Sequence, residues 1–222
     1  MNSLSYTANH GITPTIDLFE TISDDILTKG YSVNVSGFDM SLASSLLDSF
    51  YALPTSNFEH AGLGRSEGHR VNDFVRTDDI CWITETDQAT GRWIEWNKQL
   101  QTYLNRRLML GLFSFESHFA RYSKGQFYKR HVDAFHGQAN RVLSLVLYLN
   151  ENWRQDDGGQ LVLYRNHSDT EGIKVSPTFG TLVAFLSEEF PHEVLKANKQ
   201  RLSIAGWYRV NASTRHKVDP PQ

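Results

Sequence analysis

The chain is poor in what would stabilise or address a secreted or membrane protein. It has one cysteine, Cys81, in 222 residues. That excludes an intramolecular disulfide framework and a cysteine-rich zinc site, and fits a reducing compartment. No apolar run approaches the length needed to cross a bilayer, and "MNSLSYTANHG" lacks a basic segment followed by an apolar core, so the expected location is cytoplasmic, without membrane association. Charge of one sign is also missing: 22 basic residues stand against 25 acidic, a net charge of −3, which gives no general reason to bind a phosphate backbone. Internal repeats and low-complexity tracts are absent. Only the tail "NASTRHKVDPPQ", polar and closed by two prolines, reads as disordered.

What is present is ordinary for a globular protein, with 40% hydrophobic and 21% charged residues. The N-terminal half is helical and irregular. In "DMSLASSLLDSFYAL", Asp39 or Ser41 caps a helix whose Leu42, Leu46, Leu47 and Phe50 recur at helical spacing. A second helix, "TGRWIEWNKQLQTYLNRRLMLG", places Trp93, Trp96, Leu100, Tyr103, Leu104 and Leu108 on one face, with Gly111 positioned to stop it. Between them, the segment from Pro54 to Arg76 is rich in Gly, Arg and polar residues and reads as a loop long enough to wrap a peptide, turning strand-like toward Ile83.

From about Phe113 onward, short β-like runs alternate with turn signals, the pattern of an all-β sandwich or barrel. They are "FSFESHFARY", "RVLSLVLYLN", "GGQLVLYR", "GTLVAFLS", "HEVLKA" and "RLSIAGWYRV". In "RVLSLVLYLN", alternation puts Leu143, Leu145, Leu147 and Leu149 on a core face and Val142, Ser144, Val146 and Tyr148 on the other, where a cavity can be lined. The fold class expected is mainly β with flanking helices. One domain is expected over 1–222: helical support and a substrate finger over about 15–112, a β core over about 113–210, and a flexible tail, 211–222.

The spacing His-x-Asp occurs twice, in "FYKRHVDAFHG" and in "RNHSDTEG". If "KRHVD" begins or enters a strand, His131 and Asp133 share a face and converge on one ion. His192, after the apolar run "TLVAFLS" and fixed by Pro191, is the best third ligand. Two His and one carboxylate with open positions suit non-haem Fe(II), although zinc hydrolases use the same set. Arg201, on the face of Ser203, adds a bidentate receptor for the far carboxylate of a chelating diacid. The second pair, His167 and Asp169, lies in a polar turn and reads as solvated loop. His136 reads as a surface or loop residue and not a ligand.

Together, "ARYSKGQFYKRHVDAF", "RVLSLVLYLNENW", "GGQL", "FPHEV" and "RLSIAGWY" resemble the Fe(II) and 2-oxoglutarate-dependent dioxygenases, most closely the prolyl 4-hydroxylases related to the oxygen-sensing hydroxylases of hypoxia-inducible factor. The resemblance covers Phe119 to Tyr208 and implies a double-stranded β-helix, or jelly roll, braced by the N-terminal helices. It implies His131, Asp133 and His192 as iron ligands, with Arg201 salt-bridged to the distal carboxylate of 2-oxoglutarate. Tyr148, Tyr122 and Ser203 then border the cosubstrate, and Tyr128, Arg141, Trp207, Arg76 and Trp82 border the substrate. Ala205 departs from the family, standing where the oxygen-sensing members can carry a hydroxyl residue. The implied cofactors are Fe(II), 2-oxoglutarate and O2, with ascorbate as reductant. The implied reaction is 4-hydroxylation of a prolyl residue in a protein, a translation component being one guess, with 2-oxoglutarate converted to succinate and carbon dioxide. The alternatives are hydroxylation of a free amino acid or small metabolite, and a non-catalytic metal-binding interaction module. Repair demethylation of nucleic acid uses the same iron chemistry, but the near-neutral charge argues against it.

Overall fold

The computed structural model describes residues 13–35, 37–61, 75–134 and 140–211. The bulk of the loop after Pro54, His136 and the tail from 212 onward lie outside them.

Among the described residues three helices precede the β core: α1 (Thr13–Lys29), α2 (Met40–Ala52) and α3 (Gln88–Leu108). Asp39, and not Ser41, caps α2, its Oδ1 accepting from the amides of Ser41 at 2.9 Å and Leu42 at 3.2 Å. At α3, Asp87 and Thr90 form a reciprocal capping box. This helix ends three residues before Gly111, because Met109 itself takes the left-handed conformation with φ 55°. Helix α1 is an addition to the expected elements. Its Leu18, Phe19, Ile22 and Ile26 are all buried, at a spacing that repeats once per turn or two.

The described residues form eleven strands: β1 (Tyr31–Asn34), β2 (Glu59–His60), β3 (Asp79–Trp82), β4 (Ser114–Tyr122), β5 (Tyr128–His131), β6 (Arg141–Tyr148), β7 (Leu161–Leu163), β8 (Ile173–Val175), β9 (Leu182–Leu186), β10 (His192–Val194) and β11 (Arg201–Arg209). They form a seven-stranded sheet, β1-β9-β6-β11-β4-β3-β2, and a four-stranded sheet, β5-β10-β7-β8. All the pairings are antiparallel, and the chain passes back and forth between the two sheets. This is the jelly-roll arrangement, with β1, β2 and β8 as strands the sequence pattern did not announce.

Period-two alternation divides the side chains of the large sheet between two cores. Leu143, Leu145 and Leu147 of β6, Ile204 and Tyr208 of β11 and Phe119 of β4 join Ile22, Leu46, Trp93, Leu100 and Leu104 of the helices in the larger core. Ala120, Tyr122, Tyr148, Val183 and Phe185 point the other way and meet Leu161, Leu163 and Val194 of the small sheet. Two hydrogen bonds tie α3 to the back of the large sheet. Trp93 Nε1 donates to Ser117 Oγ at 3.0 Å, and the Tyr208 hydroxyl donates to Asn97 Oδ1 at 2.7 Å. The alternation breaks at one end of β6. A bulge opposite Tyr208 and Arg209 pairs Arg209 with Arg141, and Val142 packs against the helix-side core instead of lining a cavity.

In the middle of β11, Gly206 allows close approach to β4. A Cβ there would lie 2.6 Å from Phe115 Cζ and 2.8 Å from the Glu116 carbonyl oxygen. Gly206→Ala is therefore expected to cost about 1–3 kcal/mol by overpacking, read as a lowered urea midpoint with an unchanged m-value.

Candidate active site

A cleft opens between the two sheets, about 530 Å³ including its open mouth. Its floor is the inward face of β4, β11 and β6. At the deep end Arg201, the first residue of β11, sits opposite Tyr122 of β4, while Ser203 sits opposite Tyr148 of β6. Arg201 is 2% exposed. Its Nε donates to the Gly159 carbonyl at 2.9 Å and its Nη1 to Ser203 Oγ at 3.2 Å. The guanidinium lies 4.9 Å from the Tyr122 ring centroid and 5.0 Å from that of Tyr148. Among the described residues no carboxylate pairs with it. The Tyr148 hydroxyl is also buried and has no hydrogen-bond partner. Burial pushes this phenol up to about 12, with Arg201 pulling the other way, so it is a protonated donor at neutral pH. A buried cation without an anion beside a donor without an acceptor is costly unless a ligand anion completes both.

Nearer the mouth, His131 ends β5 and His192 begins β10. The two residues face each other in register across the small sheet, and their ring centroids are 4.2 Å apart. Asp133 lies in a bend just past β5, so the chain reversal, and not the strand pleat, brings it to His131. Its Oδ1 is 3.6 Å from His131 Nε2, and its Oδ2 is 3.6 Å from His192 Nε2. Candidate ligand atoms of all three residues lie within 4.8 Å of one another, and no other such group forms among the described residues.

Each imidazole is oriented by a backbone carbonyl. His131 Nδ1 lies 2.7 Å from Lys129 O, and His192 Nδ1 lies 3.0 Å from Phe190 O. A carbonyl only accepts, so each Nδ1 carries the proton and each Nε2 presents a lone pair to the shared point. Ser144 Oγ donates to Asp133 Oδ2 at 2.6 Å and also contacts Ser187 Oγ at 2.9 Å. Burial opposes ionisation of Asp133, but His192, His131 and Arg141 outweigh it and hold the carboxyl well below its usual range. Burial, with His131 adding to it, lowers His192 to about 4, so it is neutral at pH 7. A carboxylate and two imidazoles that turn Nε2 toward one point fit an Fe(II)-type metal, and the Arg201 and Tyr148 end fits a carboxylate.

The expected substrate-side residues divide. Tyr128 and Trp207 line the cleft, as does Arg76. Tyr128 stacks on His131, with centroids 3.6 Å apart and planes 14° from parallel. Arg76 is held by a bidentate pair with the fully buried Asp78, at 2.7 and 2.9 Å, and its guanidinium is 4.7 Å from the Tyr128 ring centroid. Arg141 lies outside the cleft lining, 3.7 Å from the Trp207 ring centroid and paired with Glu116 at 3.2 Å. Trp82 also lies beside the cleft, 50% exposed and edge-on to His118. The second His-x-Asp pair stays apart from the site: Asp169 accepts from the amides of Arg165, Glu171 and Gly172 and organises its own turn.

Sequence reasoning did not single out Gly159, Asp78 or His118. Gly159 is required by contact, since a Cβ there would meet Arg201 Cδ at 3.0 Å, and "GGQL" carried that signal. His118 was legible in the alternation of "SFESHFARY", which puts it on the face of Tyr122.

Residues 117–209 match the model of the 2OG-Fe(II) oxygenase superfamily. A prolyl-4-hydroxylase from Pseudomonas putida is 36% identical to this chain over 87% of it and 100% of that protein, with a TM-score of 0.77. A prolyl hydroxylase from Trichoplax adhaerens, solved with a hypoxia-inducible-factor oxygen degradation domain peptide fragment, is 25% identical over 92% of this chain and 94% of that one, with a TM-score of 0.78. A prolyl 4-hydroxylase from Phytophthora capsici, 20% identical over 94% of this chain and 70% of that one, shares the fold at a TM-score of 0.63. The chain belongs to the 2OG-Fe(II) oxygenase superfamily and is related within it to the prolyl hydroxylases.

His118 provides a pH test of the site's burial. Burial, with Arg76 next in size, lowers its pKa from 6.5 to about 4. A depressed imidazole contributes stability that is fully present above pH 6.5 and lost as pH falls toward 4, because the unfolded chain binds the extra proton first. The metal-free protein is expected to lose urea resistance between pH 7 and pH 5, and His118→Leu to lose less. Equal losses in the two proteins contradict this.

Proposed function

We propose that the protein is an Fe(II)- and 2-oxoglutarate-dependent dioxygenase that hydroxylates a prolyl residue, at the 4-position, in a protein substrate. The observation that carries the reading is the buried Arg201 guanidinium without a carboxylate partner, beside the unpartnered Tyr148 hydroxyl and across the cleft from His131, Asp133 and His192. In this reading the His, Asp and His side chains hold the iron through Nε2, a carboxylate oxygen and Nε2. Arg201, Ser203 and Tyr148 receive the distal carboxylate of 2-oxoglutarate, and Tyr122 walls that end. Iron with 2-oxoglutarate supplies the oxidation when bound, with O2 consumed and succinate and carbon dioxide released.

The rest is positioning and exclusion of water. Leu161, Val194 and Phe185 line the cleft between the two charged ends and keep it apolar. Tyr128 braces His131 by stacking, and Ser144 fixes one oxygen of Asp133. Trp207 and Arg76 border the mouth, with Arg141 and Trp82 behind them, and are assigned to the substrate polypeptide. The relatives' substrates support a peptide ligand: the Trichoplax protein was solved with one. Ascorbate as reductant, a translation component as substrate and a cytoplasmic location complete the proposal.

The test is Fe(II)-dependent succinate formation with and without proline-containing peptides, with mass spectrometry of the peptide. Gain of one oxygen atom on a prolyl residue is expected. Oxygen gained elsewhere, or on a free amino acid only, rejects the substrate class. Asp133→Ala is expected to lose bound iron and turnover together. Arg201→Ala is expected to keep iron while the KM for 2-oxoglutarate rises about ten- to a hundredfold, the worth of a hydrogen bond to a charged group.

A further inference from the structure

The alternation that turns Ala120 and Tyr122 of β4 into the cleft turns His118 there too, and its ring lines the cleft. His118 is 1% exposed. Its Nδ1 lies 3.2 Å from the Phe119 carbonyl, which accepts, so the lone pair is on Nε2. That Nε2 is buried and has no hydrogen-bond partner among the described residues. Leaving a buried acceptor unmet costs about 1–3 kcal/mol.

Among the described residues none donates to it: Arg76, whose charge acts on the ring, turns its Nε and Nη2 to Asp78. His118 sits opposite Ala205 of β11 and Trp82 of β3, and Ala205 sits opposite Val146 of β6. The Trp82 and Trp207 rings flank it at 5.3 and 5.5 Å between centroids. The cosubstrate does not meet the need either, because ionised 2-oxoglutarate only accepts. Its anchoring row, Tyr122 with Arg201, is four residues along β4, about 13 Å at about 3.3 Å per residue. A ligand donor lying over the Trp82 and Trp207 side of the floor would meet it.

We propose that His118 reads the substrate: its Nε2 accepts a hydrogen bond from an N–H or O–H on a residue beside the hydroxylated proline. This rests on the prolyl-hydroxylase reading. Proline itself, a tertiary amide within a chain, has no N–H, so the donor belongs to a neighbour. His118 is thereby a determinant of sequence preference and not of the oxidation.

The probe is a library of synthetic proline-centred peptides, with N-methyl groups placed in turn on each flanking amide and side-chain hydroxyls replaced by hydrogen. Binding is measured by calorimetry with Zn(II) in place of iron and 2-oxoglutarate present, for the unmutated protein, His118→Leu and His118→Gln. One donor-removing change is expected to weaken binding about tenfold in the unmutated protein and to have little effect in His118→Leu. His118→Gln, whose amide oxygen is an acceptor, should restore the discrimination. In the unmutated protein the ¹⁵N resonance of His118 Nε2 should move upfield when peptide is added. A donor-removal penalty equal in all three proteins overturns the proposal, as does an Nε2 resonance already moved by Zn(II) and 2-oxoglutarate alone, which assigns the nitrogen to a site water. If no peptide binds and none gains oxygen with the iron enzyme, the prolyl reading fails and this proposal with it. That result is distinct from peptides hydroxylated without regard to His118.

Discussion

The register of β11 is the constraint on which the site depends. This strand is hydrogen-bonded along its length to β4 on one side and β6 on the other, and alternate residues go to opposite cores. Arg201, Ser203, Ala205 and Trp207 face the cleft, while Leu202, Ile204 and Tyr208 pack under the helices. A slip of one residue would drive the guanidinium into an apolar core and expose the leucine and isoleucine to the cleft. The helices therefore act on the chemistry at a distance. Tyr208 bonded to Asn97, and Trp93 bonded to Ser117, pin the back of the sheet and with it the face that carries the site.

The cleft keeps its charges at two separate stations. At one, a cation is fixed by a carbonyl and a hydroxyl, neither of which neutralises it. At the other, a buried carboxylate accepts from Ser144 and lies between two imidazoles. Between them the lining is apolar. Such an arrangement is poor for stability in isolation and well suited to a ligand carrying negative charge at one end and metal-binding oxygens at the other.

The sequence revealed the site more fully than it revealed the fold around it. His131, Asp133, His192 and Arg201 were legible because each chemistry-bearing residue sits beside a strong strand signal or a strand end, and their residue types demand partners. The register that sets His131 opposite His192 was not legible, since it depends on pairing between segments about sixty residues apart. Short strands such as β8, with three residues, carry too little alternation to register as a pattern. Val142 was misplaced for a related reason: a bulge is a two-strand event that neither strand encodes alone. Arg76 was named through the family resemblance, but its partner Asp78 was not, because burial of a carboxylate follows from packing and not from spacing. Helix α1 is legible in the same way, since Leu18, Phe19, Ile22 and Ile26 recur at helical spacing.

The backbone carbonyls that hold the Nδ1 protons of His131 and His192 have a consequence for how the centre is loaded. With His192 neutral at pH 7 and Asp133 already a carboxylate, neither gives up a proton when an ion arrives. Hydrogen ions are then weak competitors for these two ligands over the neutral range, and a modest drop in cellular pH does not by itself strip them. Occupancy follows the supply of divalent metals and the fit of each ion to two nitrogens and one oxygen.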